Sequence, residues 1–485
     1  MLGIQKAMEK LFTNGHAVYL HELSKGEVDL FIHKPEQFYL PWRVVYKLDS
    51  LSPPIRPVFD GSSNTRKRPD GSGGRSLNDL LCKGRIDTLN LLKMFIRFSI
   101  GSFAVSGDFQ QFYCSCKLIP QDYNLVRFLI RPNLDPKAQP VEAVFKALIF
   151  GLKSASAQSE CSKVKLAELN KETYPQVATL LTEGTYVDDM GESKSKAETV
   201  DKLIYESDIV FSQVNLKCKE WIKTGHKPSE NSSSNGVSVF VAGMEWCPQL
   251  DSIAVKIPYL HFGKKKREKL SDNTEFFHSI GDSSDLKRLD EFCPKLTRRI
   301  CASKSASIFD LPGLLAPILA GIKCLMRDTV KATSDWDDCI PIHLRNKWLE
   351  AFLTLEKLRG ISFERPVMPL DAVDTTLRLI SLSDAAEPVI MVGVWGGFLL
   401  SSGDYSCRFI IGRSLLSADM TIPKLELEGC NAAANLNWFV RKCLKDWPHV
   451  FFKVAIQLSH CPGLHLKNCV CLNFTEIVSV KSEEH

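Results

Sequence analysis

No apolar run in this chain of 485 residues reaches the roughly 20 residues that a membrane-spanning helix needs. The longest, Val389 to Leu400, carries three glycines and follows Asp384 and Glu387. The first residues lack a basic segment followed by an apolar core, so no secretory signal is expected. An excess of one charge is also missing: 61 Lys+Arg stand against 56 Asp+Glu, a net +5. That balance suits a nucleic-acid cleft without demanding one. The 16 cysteines follow no regular framework, which argues against a disulfide-built scaffold and for reduced thiols. Cys114 and Cys116 are expected to be buried. Together these absences predict a protein of the cytosol or nucleus with no membrane partner.

What is present is a globular composition, 44% hydrophobic and 24% charged, on a chain long enough for roughly two to four domains. Its chemistry concentrates at Thr185-Tyr186-Val187-Asp188-Asp189-Met190. Consecutive side chains on a strand point to opposite faces, so two adjacent Asp converge only where the chain turns. A tight hairpin is therefore expected, with the pair at its tip. Neighbouring carboxylates repel and raise each other's pKa unless a cation sits between them, and a divalent ion with oxygen ligands suits them. A solvated turn suits an Asp-Asp pair as well. Upstream, Val105-Ser106-Gly107-Asp108-Phe109 ends an apolar run in a single carboxylate. A strand that delivers Asp108 to a sheet edge would supply the further oxygen ligand that two-metal phosphoryl transfer needs.

These segments, in this order, resemble the palm of a retroelement reverse transcriptase, and the flanking phrases resemble the Pao/BEL group of long-terminal-repeat retrotransposons. The matching phrases are Tyr39-Leu40-Pro41, Arg56-Pro57-Val58-Phe59-Asp60-Gly61-Ser62, Ser76-Leu77-Asn78-Asp79-Leu80-Leu81, Phe150-Gly151-Leu152 and Phe309-Asp310-Leu311-Pro312-Gly313-Leu314-Leu315. The resemblance implies an α+β fold: a right-hand polymerase of fingers, palm and thumb with an antiparallel palm sheet, then a partial ribonuclease H-like α/β segment. It implies an RNA-directed DNA polymerase acting on an RNA or DNA template with a primer, using deoxynucleoside triphosphates. Two Mg²⁺, or Mn²⁺, would be held by Asp108, Asp188 and Asp189. A remnant without turnover and a nucleic-acid-binding protein of retroelement origin are the alternatives.

The resemblance also implies roles along the chain. Residues 1–36 form a weakly patterned leader, where the family's upstream protease is missing. Residues 37–255 hold fingers and palm, with two strands around Val44–Lys47 and Arg56–Phe59. Arg56 is implied as a triphosphate contact, although an arginine on a strand is also an ordinary surface residue. The basic loop 64–75 suits backbone phosphates or plain solvation. Tyr113 is implied as the steric gate against a 2′-hydroxyl, or else as a core aromatic. Phe150 and Gly151 would meet the nascent base pair. Here the chain departs from the family, with Ala155 and Ala157 near a position where proline is usual. Lys196 to Phe211 predicts an amphipathic helix and Asn215 to Trp221 a strand. Gly243, Met244 and Trp246 match a primer grip; an apolar hairpin packed on the palm is the plainer reading, and both can hold.

Residues 256–375 would be thumb and connection. The run Lys264–Lys269 and the pair Arg298-Arg299 would face duplex phosphates, and Phe309 to Cys324 is apolar enough to require burial. Residues 376–440 resemble a truncated ribonuclease H. Asp384 and Glu426 match its first two metal ligands, and no strand with a Thr-Asp-Ser-like third Asp is expected after Trp447. The divergent tail 441–485, with Cys461, His465, Cys469 and Cys471, fits no four-ligand zinc pattern well. Truncation, frameshift or an aberrant exon explains it better.

Overall fold

The computed structural model describes residues 2–46, 55–64, 74–85, 90–230, 232–233, 235–258, 295–417, 420–447 and 450–454. Most of the basic loop 64–75, the run Lys264–Lys269 and the tail with Cys461, His465, Cys469 and Cys471 lie outside them. The chain divides into two compact units. The first holds Met1–Met94, Val105–Glu192 and Glu198–Val239; the second holds Phe95–Ala104, Ser193–Ala197 and Phe240–His485.

The first strands in chain order are β1 (Ala17–Tyr19), β2 (Trp42–Tyr46), β3 (Ile55–Phe59), β4 (Phe103–Asp108), β5 (Arg127–Ile130), β6 (Val141–Phe145), β7 (Thr185–Tyr186), β8 (Asp189–Lys194) and β9 (Ile222–Lys223). They form a β1-β6-β5 sheet, a β2-β3 hairpin and a four-stranded sheet of order β7-β8-β4-β9. In the first unit, Phe59, Phe128 and Phe145 meet ring to ring at 4.6–5.0 Å inside a core shared with Leu40, Leu77 and Ile149. Such aromatic clusters carry much of a small core's buried area. The four-stranded sheet is backed by aromatics: Phe109 packs on Phe112 and Phe211, and Phe211 on Trp221. The predicted amphipathic helix forms as Ala197–Ser212 and buries Val200, Leu203, Val210 and Phe211.

The predicted strand Asn215 to Trp221 is not continuous; regular strand begins only at Ile222. Its cause is local. Asn215 adopts φ 54°, and the segment instead clasps the end of β4. Lys219 N–H donates to Asp108 O and Lys217 O accepts from Gln110 N–H, each at 2.8 Å. Cys114, within the short helix Phe112–Ser115, and Cys116, its C-cap, are half-buried and not fully buried as expected.

The long final segment of the second unit begins within β10 (Val239–Val241), followed by β11 (Met244–Cys247) and β12 (Ser252–Ala254), joined in one sheet by β13 (Ser362–Glu364). Helices Arg298–Ala306, Ala316–Ala332 and Ile342–Lys357 pack around Trp348, whose indole N–H donates to Thr329 Oγ1 at 2.8 Å. Burial of Phe309 to Cys324 is partial. Leu315, Ala316, Ala320 and Ile322 are buried, while Phe309 is 46% exposed. Arg298 and Arg299 are already engaged: Arg298 stacks over Trp336 at 4.5 Å, and Arg299 forms a bidentate pair with Asp337.

The unit ends in β14 (Leu377–Ala386), β15 (Val389–Leu399), β16 (Tyr405–Leu416) and β17 (Val450–Val454), ordered β16-β15-β14-β17. β14 to β16 are antiparallel, and β17 runs parallel to β14. The helix Ile422–Cys443 covers the sheet through Leu425 and Ala433. A strand after Trp447 therefore does form, although its five residues, Val-Phe-Phe-Lys-Val, include no carboxylate. No described helix is long and apolar enough to cross a membrane.

Candidate active site

β7 and β8 pair Thr185 with Met190 and Tyr186 with Asp189, leaving Val187 and Asp188 as the two turn residues. Val187 has φ 55°, a conformation that is costly for a β-branched side chain. The turn puts Asp188 at the tip and Asp189 at the start of the return strand. β4 lies next to β8, and Phe109 N–H donates to Asp188 O at 2.9 Å. That bond sets the Asp108 strand in register with the turn. Gly107 is required just before Asp108: a Cβ there would sit 2.6 Å from Cys218 Sγ and 2.9 Å from Trp221.

The carboxylates sense one another. Burial, then the charge of Asp108, raises the Asp188 pKa. Asp189, open to solvent at its surface, is pushed up to about 7 by burial of the surrounding site, then by Asp188 and Asp108. Two lysines oppose these shifts. Lys219 Nζ is paired with Asp108 Oδ2, and Lys163 lies close enough to lower Asp188. Neither lysine was singled out by the sequence; the signal available was only two cations within helix or loop patterns.

Asp108 Oδ1 is buried without a hydrogen-bond partner. An unpartnered carboxylate oxygen beside two more acids of raised pKa is a donor set that suits a hard divalent cation. As they stand, no three Asp, Glu, His or Cys side chains among the described residues are gathered closely enough to hold a metal, and the cation on Asp108 is the Lys219 ammonium. Asp108, Asp188 and Asp189 thus fit an ion by chemistry, and Lys219 would have to move off Asp108 to admit it.

Beside this site, Tyr113 is buried; its ring centre lies 4.3 Å from that of Phe150, and its hydroxyl is 3.2 Å from Ser156 Oγ. Phe150 is 60% exposed, an open aromatic edge next to Gly151, whose φ is 103°. The turn is braced by Asn78, which the sequence quoted only within a phrase. Its amide donates to Gly151 O and Ser62 Oγ, each at 2.8 Å, and its Oδ1 accepts from Lys153 N–H at 2.7 Å. A capping box between Ser76 and Asp79 presents it. Arg56 is half-buried on β3 opposite Val45.

In the second unit, Ala242 and Gly243 both have positive φ at the tip of the β10-β11 hairpin, as a tight hairpin requires. Met244 and Trp246 are fully buried, so both side chains pack the hairpin from inside. Trp246 is an anchor: its indole meets Phe98 edge-on at 5.0 Å and donates to Asp251 Oδ1 at 2.9 Å. Asp251 in turn is held by Arg365 through two 2.6 Å bonds. Strand alternation turns Phe240 outward instead. It is 50% exposed, with Lys256 over its ring at 4.7 Å. Asp384 is exposed on β14 and Glu426 half-buried in the first turns of helix Ile422–Cys443.

Residues 297–453 match the family described as the Pao retrotransposon-like RNaseH-like domain. No curated protein sequence matches the chain. Among solved structures, the chain is similar to a foamy viral protease-reverse transcriptase (dRH) in complex with double-stranded DNA, with a TM-score of 0.53 and 11% identity over 96% of this chain and 70% of that one. A foamy viral protease-reverse transcriptase in complex with an RNA/DNA hybrid aligns with a TM-score of 0.47 and 12% identity, over 98% of this chain and 52% of that one. At 11% identity the likeness is one of fold.

Proposed function

We propose that this Pol segment of a Pao-type retroelement is an RNA-directed DNA polymerase built as fingers, palm and thumb. It extends the 3′-hydroxyl of a primer on an RNA or DNA template with deoxynucleoside triphosphates and releases pyrophosphate. The observation that carries this reading is the register of Asp108 against the Asp188-Asp189 hairpin through the Phe109–Asp188 backbone bond. A fold shared with a foamy viral protein that binds double-stranded DNA supports a nucleic-acid substrate.

Asp108 and Asp188, assisted by Asp189, would hold two Mg²⁺ ions. When bound, these would lower the pKa of the attacking hydroxyl and stabilise the leaving oxygens. The protein's own part is placement. The hairpin presents Asp188 beside Asp108. Tyr113 and Phe150 wall the sugar and base side, with Tyr113 as the gate against a 2′-hydroxyl, and Asn78 keeps the Gly151 backbone near enough to support the base pair. Arg56 would clamp the triphosphate. Cleavage of RNA in a hybrid is not expected. Asp384 and Glu426 are present, but β17 contributes no third acid.

Asp108→Asn and Asp188→Asn should each abolish primer extension in Mg²⁺ while leaving a gel shift with primer-template intact; persistent extension by either variant refutes the assignment. The Lys219 ammonium on Asp108 favours a second reading, a nucleic-acid-binding remnant without turnover. It predicts a gel shift and no extension by the wild type.

A further inference from the structure

Under the carboxylate hairpin lies a buried ion pair that the mechanism above does not use. Glu160 and Lys163, one turn apart on helix Ala155–Asn170, have side chains only 8% and 3% exposed and meet at 2.8 Å. Two charges taken out of water gain little for stability, since apolar residues of similar size usually serve as well or better. This pair has a further contact. Lys163 Nζ donates to Thr185 O at 3.3 Å, the carbonyl that opens β7. Thr185 is fully buried, and its hydroxyl donates to Leu180 O at 2.8 Å.

The turn is thereby held on both sides of its strained residue. Thr185 O accepts from Lys163, Asp188 O accepts from Phe109 N–H, and Val187 with φ 55° lies between them. Positive φ at a β-branched residue persists only where the surroundings over-determine it. We propose that Lys163, oriented by Glu160, is a positioning residue that fixes the Thr185 carbonyl and so sets where Asp188 stands relative to Asp108. The inference deepens the polymerase reading and rests on it for its purpose.

The test uses the full chain without metal and then with Mn²⁺. The apolar double variant Glu160→Leu/Lys163→Leu keeps the packing and removes the donor. It should melt within a few degrees of the wild type, yet hydrogen exchange across 180–192, which contains the Gly191-to-Gly184 backbone bond, should speed up about tenfold. Half-saturating Mn²⁺, followed by electron paramagnetic resonance, should rise about fivefold. Lys163→Gln, which retains a donor, should fall between wild type and double variant, and it decides the matter by the same two readouts if the double variant does not fold. Wild-type exchange and Mn²⁺ binding in a folded variant overturn the inference. Exchange needs neither metal nor substrate, so a hairpin that loosens in a chain unable to extend primers sinks the polymerase reading alone.

Discussion

Asp189 carries the sharpest pH signature. Its folded-state pKa, about 7, lies above its ordinary value of 3.8. Between those values the folded chain keeps a proton that the unfolded chain has lost, so stability from this group is present at low pH and falls as pH rises through 7. Asp188, also raised, adds the same sign. In EDTA, the melting temperature of Asp189→Asn minus that of the wild type should grow from about pH 5 to about pH 8; a constant gap contradicts the shift. Val187→Gly tests the strained turn. Release of roughly 1–3 kcal/mol of strain offsets the roughly 0.5–1 kcal/mol entropic cost of glycine, so thermal stability should not fall, while extension slows as the hairpin loosens. A clear drop in melting temperature would show that Val187 is unstrained. At this scale the sequence displayed the acids, because two adjacent Asp can converge only where the chain turns. It did not display Lys219 or Lys163. Lys219 meets Asp108 across 111 positions, and such pairings follow from sheet register, not from local pattern.

The connector Phe309–Leu315 shows what a recognisable phrase can mean physically. The Asp310 carboxylate accepts the N–H groups of Gly313, Leu314 and Leu315 at 2.8–3.0 Å and so caps the helix Ala316–Ala332 from outside. Gly313 has φ 84°, and a Cβ there would lie 2.1 Å from Gly412 O; Gly412 N–H in turn donates to Pro312 O at 2.8 Å. This phrase is a docking joint onto β16. Gly313→Ala should cost at least about 2 kcal/mol through clash and strain together, seen as a lower denaturant midpoint; a neutral result would mean that the joint is slack. The helix Ala197–Ser212 was legible from its apolar spacing. The segment 215–221 was not, because its apolar alternation is spent on clasping Asp108. Trp246 was legible only as an aromatic near a glycine turn; its bond to Asp251 makes it an anchor of that hairpin, a role the sequence pattern does not display.

Across the whole molecule, the described chain combines a sheet that carries Asp108 and the Asp188-Asp189 turn with a second unit whose last sheet has strand order β16-β15-β14-β17. The match to the Pao retrotransposon-like RNaseH-like domain spans residues 297–453, and so begins well before residue 376, where the sequence's ribonuclease H resemblance starts. Without a third acid on β17, the protein should leave the RNA strand of a labelled hybrid intact in Mg²⁺, and release of short RNA products would show that the site is completed by other residues. The central claim is that Asp108, Asp188 and Asp189 perform nucleotidyl transfer together. It is tested most directly by primer extension on an RNA template with Mg²⁺ and deoxynucleoside triphosphates, wild type beside Asp108→Asn. The account predicts extension by the wild type and a loss of about 1,000-fold or more in the variant; equal extension by the two proteins, or none by a wild type that binds the template, would contradict it.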